Sequence, residues 1–167
     1  MSKTIENLNI LYNNPFNLTP IIVRFYQKYN GKQSKDMLLA YLILPLVLYE
    51  DSKTALLNKK KELRTFINYC HKQDDSKNKK EVKKNEKLFG LPDRVADYKE
   101  MTNLCLQHAF DSGCLQLNRD LSITFIKYNF KKDNSLVESL KVAENLALLL
   151  KNEKLTHIYM RLGIKKL

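Results

Sequence analysis

The sequence predicts a mainly α-helical protein with one β-hairpin. The 167 residues include 4 glycines and 4 prolines, and so few turn-forming residues argue against an all-β fold. Apolar residues recur at helical spacing along most of the chain, whereas alternation of apolar and polar residues is clearest in one stretch after residue 113. With 44% hydrophobic residues, the chain can build a buried core.

The first half of the chain is predicted to be helical. Leu11–Phe16 reads as an extended arm, and Thr19 is the expected N-cap of a helix over Pro20–Tyr29, because proline is favoured at the first helical position. A helix from near Ser34 to Leu44 is apolar almost all round and should be central. Pro45 should kink or end this central helix. Asp51-Ser52 should cap the next helical stretch, which runs through Ile67.

A charged segment then interrupts the apolar pattern. Residues 72–87 contain almost nothing to bury, so they cannot offset the entropy cost of ordering. We interpret this segment as a flexible linker between an N-terminal helical half, 1–71, and a second half, 88–167, which need not be independent domains.

The second half is predicted as helix, hairpin and helices, a winged-helix-like arrangement. A long helix is expected over Pro92–Phe110, with Asp93, Asp97 and Glu100 in its first turns, where carboxylates favour the helix dipole. The remaining elements follow in order: a strand at Cys114–Leu117, a turn at Asn118–Asp120, a strand at Leu121–Phe130, a helix from Asp133 or Asn134 to Leu150, and a last helix at Lys154–Leu162.

The residues that usually carry catalysis do not form a recognisable site. The chain has no zinc-ligand spacing, no nucleophile elbow and no glycine-rich phosphate loop. We therefore expect no enzyme activity, no cofactor and no metal, and we interpret the cysteines as buried reduced thiols. The histidines and cysteines are His71, His108, His157, Cys70, Cys105 and Cys114.

The chain is strongly basic, with 29 Lys and Arg against 18 Asp and Glu and a formal net charge of +11. Such a charge attracts polyanions, of which nucleic acid is the commonest. Because lysine dominates, contacts to the phosphate backbone are expected rather than base reading. The candidate contact residues are Lys59, Lys60, Lys61 and Arg64, although a solvated surface would have the same composition.

No stretch of the sequence predicts a membrane anchor. The most apolar run, Met37–Leu48, is shorter than the roughly 20 residues that a membrane-spanning helix needs. The first nine residues are polar and lack the apolar centre of a signal peptide, so we expect a cytoplasmic protein.

Several stretches together resemble the middle component of bacterial three-component ABC systems, as found in Lamassu-type anti-phage defence. They keep their order from near the N-terminus to the last residue, and the charged segment 72–87 does not belong to the pattern. The stretches are Leu11–Pro20 (LYNNPFNLTP), Met37–Tyr49 (MLLAYLILPLVLY), Leu63–Ile67 (LRTFI), Phe89–Asn103 (FGLPDRVADYKEMTN) and Ile158–Leu167 (IYMRLGIKKL).

This resemblance implies a non-catalytic accessory subunit. It would bridge an SMC-like ABC ATPase and a separate effector, often a nuclease, in a complex that senses double-stranded DNA. Two other classes stay open, a free-standing winged-helix DNA-binding protein and an unrecognised enzyme. The first would need a recognition helix rich in Arg, Asn and Gln before the hairpin, but Pro92–Phe110 has one arginine and an acidic start.

We predict that the charged segment is dispensable for folding. Replacing residues 73–86 with a Gly/Ser linker should leave the melting temperature within a few degrees, as for a surface change. Thermal unfolding followed by circular dichroism would test this, and loss of the cooperative transition would show that the segment packs against the core.

Overall fold

The structure, a computed structural model, describes residues 14–29, 35–58, 62–68, 88, 90–131 and 133–165. Within these, the protein is mainly helical with one antiparallel two-stranded hairpin, which confirms the predicted class. The linker 72–87, arm residues 11–13, Ser34, Cys70 and His71 lie outside the described residues.

The α-helices are α1, Pro15–Lys28; α2, Ala40–Val47; α3, Glu50–Leu57; α4, Leu91–Asp97; α5, Lys99–Asp111; α6, Val137–Leu150; and α7, Leu155–Leu162. Residues 63–68 are also helical. Short 3₁₀ turns, Met37–Leu39 and Asn134–Leu136, precede α2 and α6. The hairpin pairs β1, Leu115–Leu117, with β2, Ile123–Phe125, and Gln116 lies opposite Thr124.

Helix α1 begins one turn earlier than predicted. Asn14 is its N-cap, accepting a hydrogen bond from the backbone N–H of Asn17 at 3.0 Å, and Pro15 occupies the first position. The prediction that Thr19 caps this helix is therefore wrong, as is an extended backbone at residues 15–16. The hydroxyl of Thr19 instead donates to the carbonyl of Pro15 at 2.6 Å, and Pro20 lies inside the helix.

Helix α2 continues through Pro45 to Val47, so proline does not end it. The predicted helix Pro92–Phe110 is divided at Tyr98, whose ψ of 0° departs from the helical value. The division lets α4 pack on α2 while α5 packs on α1. It also places Asp97 at the end of α4 rather than in a first turn, whereas Asp93 and Glu100 do lie in first turns.

The second predicted strand is shorter than expected, because β2 ends at Phe125 rather than Phe130. Leu121 has a φ of +61° at the hairpin turn, and its carbonyl accepts a bond from the N–H of Met37 at 3.0 Å. Asp133 caps the start of the next helical element, which agrees with the predicted helix start at Asp133 or Asn134. Gly163 ends α7 in the left-handed conformation. The winged-helix-like arrangement stays a prediction.

A continuous core joins elements from both halves of the chain. Helix α1 packs against α5 and α6, and α3 packs against α6. Polar contacts reinforce this packing: the hydroxyl of Thr19 donates to the carbonyl of Cys105 at 3.3 Å, and the side-chain amide of Asn145 donates to the carbonyl of Leu56 at 3.0 Å.

We predict that Leu42→Asp prevents folding or makes the protein insoluble. Leu42 is 0% exposed in α2, and an unpaired buried carboxylate costs several kcal/mol, against a total stability of about 5–15 kcal/mol for a domain. Soluble yield and cooperative melting measure the effect. Met160→Asp, at a side chain that is 66% exposed, is the matched control and should melt normally. Normal melting of Leu42→Asp would contradict the central place of α2.

Candidate interaction surfaces

Helix α6 carries two different surfaces along its length. Its N-terminal half lines a largely apolar groove, and its C-terminal end lines a polar pocket. Since α6 has 14 residues and a helix rises 1.5 Å per residue, it is about 20 Å long. The two surfaces are therefore held apart by a rigid element.

The groove, which we call the aromatic groove, has a volume of about 510 Å³. It lies between α1, the extended chain after β2 and the first turns of α6. Its lining residues are Arg24, Tyr128, Phe130, Asp133, Val137, Leu140, Lys141 and Glu144.

A row of rings extends this groove across the surface. Tyr128 and Phe130 meet edge to face with centroids 5.2 Å apart, and Phe130 lies 6.5 Å from the ring of His108. His108 in turn meets Phe16 edge to face at 4.8 Å, and Phe16 is 70% exposed. Contiguous apolar surface left in contact with water is typical of interaction sites.

Arg24 forms one wall of the aromatic groove. Its guanidinium carbon lies 4.2 Å from the centre of the Tyr128 ring, and one terminal nitrogen donates to the side-chain oxygen of Gln27 at 2.9 Å. That nitrogen is also 3.8 Å from a Glu144 carboxylate oxygen, while the amine of Lys141 lies 2.8 Å from the other. One carboxylate therefore serves two cations, and the groove keeps an excess of positive charge on this wall.

The polar pocket, which we call the basic pocket, has a volume of about 360 Å³. It contains the exposed Arg64 together with Lys151 and Arg161, and Arg161 is paired with Glu153 at 3.3 Å. The structure thus brings Arg64, from the predicted phosphate-contact cluster, to the same pocket as Arg161 from the last helix. Lys59, Lys60 and Lys61 precede it in the chain but lie outside the described residues.

The described part of the chain carries little of the net charge. It contains 15 Lys and Arg against 13 Asp and Glu, a net +2 of the whole chain's +11. Any strong attraction for a polyanion therefore depends on the residues that the structure leaves undescribed, among them Lys59–Lys61. Eight described residues line the aromatic groove, so its geometry can be examined directly.

Cys105 and His108, two described side chains that could take part in chemistry, are not among the described residues that line the aromatic groove or the basic pocket. Burial raises the pKa of the Cys105 thiol to about 11, and a hydrogen bond with Thr19 opposes this more weakly, so the nucleophilic thiolate is scarce near neutral pH. His108 is half-buried between two phenylalanine rings. Among the described residues, no three His, Cys, Asp or Glu side chains are placed to hold a metal ion. Within the same ranges, no helix has the length and apolar character needed to cross a membrane.

Sequence reasoning proposed Arg64, which the structure places in the basic pocket, as a phosphate contact, and that role stays a prediction. The same reasoning missed the aromatic groove. Its residues come from three separate parts of the chain, and no local pattern connects Arg24 with Lys141. One signal was present: the alternation that predicted a strand to Phe130 also placed Tyr128 and Phe130 on one face. That face lines the groove although β2 itself stops at Phe125.

Comparison with known families gives one match, which spans residues 2–166 of the chain. No curated protein and no solved structure matches the chain significantly. The matching family model is described as ABC-three component (ABC-3C) system Middle Component 3, and it covers both surfaces of α6 as well as the charged segment. Since the match extends over nearly the whole chain, the protein belongs to the Middle Component 3 family of ABC-three component systems.

Proposed function

We propose that the protein is a non-catalytic accessory subunit that bridges an SMC-like ABC ATPase and a separate nuclease effector in a Lamassu-type anti-phage defence complex. Membership of a middle-component family supports a place among the components of such a system. The ATPase and the effector supply the chemistry, and the packed state of Cys105 and His108 agrees with a subunit that supplies contacts.

The observation that carries this proposal is the pair of unlike surfaces at the two ends of α6. Leu140 lines the aromatic groove and Lys151 lines the basic pocket, and the rise along a helix over that interval is about 16 Å. Two surfaces of different chemistry suit two different partners. A rigid helix between them would fix the distance at which those partners are held.

The basic pocket would hold the second component, and it is also the proposed side for DNA. Arg64, Lys151 and Arg161 are the described cations there, beside the carboxylates of Glu62 and Glu153, and Lys59–Lys61 adjoin Arg64 in the sequence. Contacts of this type neutralise backbone phosphates without reading bases, which suits a complex that responds to double-stranded DNA of many sequences.

We predict that the two surfaces can be disabled separately. Val137→Arg fills the aromatic groove with a charged side chain, and a double variant, Arg64→Glu with Lys151→Glu, reverses the basic pocket. With a tagged chain expressed in its native operon, mass spectrometry should find both other components with the wild type. Val137→Arg should lose one of them and keep the other.

The matched control is Met160→Arg, since Met160 is exposed and belongs to neither surface. It should retain both components. Recovery of neither component with the wild-type chain would refute the accessory role, and simultaneous loss of both with Val137→Arg would refute a bridge with separate surfaces.

We predict that the basic cluster sets the salt dependence of DNA binding by the assembled complex. Changing Lys59, Lys60, Lys61 and Arg64 to Gln should weaken binding similarly for every duplex sequence. The slope of log affinity against log salt should become shallower by about 0.9 for each phosphate that the variant no longer neutralises. Fluorescence anisotropy at several salt concentrations measures both quantities.

A variant with four other cations changed to Gln controls for the reduced net charge. The positions are Lys28, Lys99, Arg119 and Lys165, all exposed and outside both the basic pocket and the aromatic groove. This control should keep its salt slope. If the cluster variant assembles and keeps both affinity and slope, the cluster is a solubilising surface and not a DNA contact.

A further inference from the structure

One exposed apolar side chain, that of Val137 in the first turn of α6, lines the aromatic groove and is 49% exposed. Ile126, two positions before the groove residue Tyr128, is 51% exposed, and Phe16 is exposed at the far end of the row of rings. Aliphatic and aromatic side chains gain free energy when a partner removes them from water.

The chain from residue 126 to residue 131 belongs to no helix or strand, and the burial of its side chains alternates from residue 127 to residue 131. Tyr128 and Phe130 are half-buried towards the groove, whereas Lys127, Asn129 and Lys131 are exposed. The N–H groups of residues 126 and 127 donate to the carbonyl of Cys114, but no backbone bond reaches residues 128–131 from the described part of the chain. Their backbone groups remain available to an added strand.

The charge around the groove favours an acidic partner. Glu144 is engaged by Arg24 and Lys141, and Asp133 accepts bonds from the N–H and the hydroxyl of Ser135, both at 2.8 Å. Lys127 and Lys131 form no ion pair with any described residue. Lys127 and Lys131 do not line the groove, but they flank Tyr128 and Phe130 in the chain and are exposed cations that no described carboxylate neutralises.

We propose that the aromatic groove binds an extended segment of a partner protein in which apolar residues alternate with Asp or Glu. The proposal rests on the accessory role above and specifies the partner at this surface. In paired strands, residues opposite each other point to the same face. The partner's apolar side chains would therefore lie beside Tyr128 and Phe130, and its carboxylates would lie beside Lys127 and Lys131. The centroid separations of 5.2, 6.5 and 4.8 Å limit the row of four rings to at most about 17 Å, the span of about five extended residues.

The groove is less suited to a nucleic acid, although it combines rings with cations. One face of Tyr128 is covered by Arg24, and the Tyr128–Phe130 and Phe16–His108 pairs meet edge to face, which leaves little room for stacked bases. The described cations that line the groove, Arg24 and Lys141, are balanced by the carboxylates of Asp133 and Glu144, so this lining has no net charge to attract phosphates, whereas the described lining of the basic pocket has three cations and two carboxylates. A peptide that brings its own carboxylates to Lys127 and Lys131 avoids both difficulties.

The test uses the chain co-expressed with the other two components of its system. Val137→p-benzoylphenylalanine places a photo-crosslinker at the groove, and Met160→p-benzoylphenylalanine is the control at an exposed site outside it. After irradiation of the purified complex, mass spectrometry identifies the crosslinked segment. Position 137 is expected to crosslink to a segment in which apolar and acidic residues alternate. Position 160 is expected to give no such crosslink.

Charge reversal provides the second measurement. Lys127→Glu with Lys131→Glu should weaken binding of the partner at least about tenfold, because two attractive pairs become repulsive. Lys99→Glu with Arg119→Glu makes the same change in net charge at exposed sites away from the groove and should have no such effect. Changing the acidic residues of the crosslinked segment to lysine should restore binding to the first variant.

The outcomes are distinguishable. If the wild-type complex does not assemble, the accessory role fails, and this proposal fails with it. If the complex assembles, four results overturn this proposal without affecting the accessory role. The first is that position 137 gives no crosslink. The other three are crosslinks from position 137 to a segment without acidic residues, to DNA, or to a second copy of the chain. Unchanged affinity after reversal of Lys127 and Lys131 also overturns it.

Discussion

The burial of α1 is the constraint on which the rest of the structure depends. Its residues from Leu18 to Val23, together with Phe25 and Tyr26, are almost fully removed from water. A helix covered on most sides needs neighbours on most sides, and α2, α5 and α6 supply them. Because α5 and α6 follow the charged segment in the sequence, one helix of the first half organises the packing of the second.

The segment between α1 and α2 also holds the second half of the chain against the first, through hydrogen bonds. The buried hydroxyl of Tyr26 donates to the carbonyl of Asp36 at 2.9 Å, and burial raises the pKa of this phenol, so it remains a donor. The hydroxyl of Tyr159 donates to the carbonyl of Leu38 at 2.6 Å, and the N–H of Ile123 donates to the carbonyl of Lys35 at 2.8 Å. The hairpin and the last helix are thereby fastened to the first half.

Sequence patterns predicted local features well, but they predicted poorly the features that depend on packing between distant parts of the chain. The helical class, the hairpin position and the cap at Asp133 depend on near neighbours, which periodicity and capping rules describe. The start of α1 was misplaced because Asn14-Pro15 and Thr19-Pro20 are equally good starting signals, and burial of Thr19 decided between them. The break at Tyr98 and the aromatic groove depend on helices distant in sequence, so local patterns could not reveal the break and gave only one side of the groove, at Tyr128 and Phe130.

The distribution of charge distinguishes the two surfaces along α6. The body that the structure describes is nearly neutral, so partner binding at the aromatic groove would depend on shape and exposed rings, with the exposed Lys127 and Lys131 as nearby cations. The remaining positive charge lies in undescribed residues, several of which adjoin Arg64 in the sequence. Salt would screen charge pairs at Lys127 and Lys131 but not the apolar contacts of the groove, whereas attraction through many lysines is strongly screened. If the protein bridges a protein partner and DNA as proposed, rising ionic strength should therefore weaken its binding to DNA more than its binding to the protein partner.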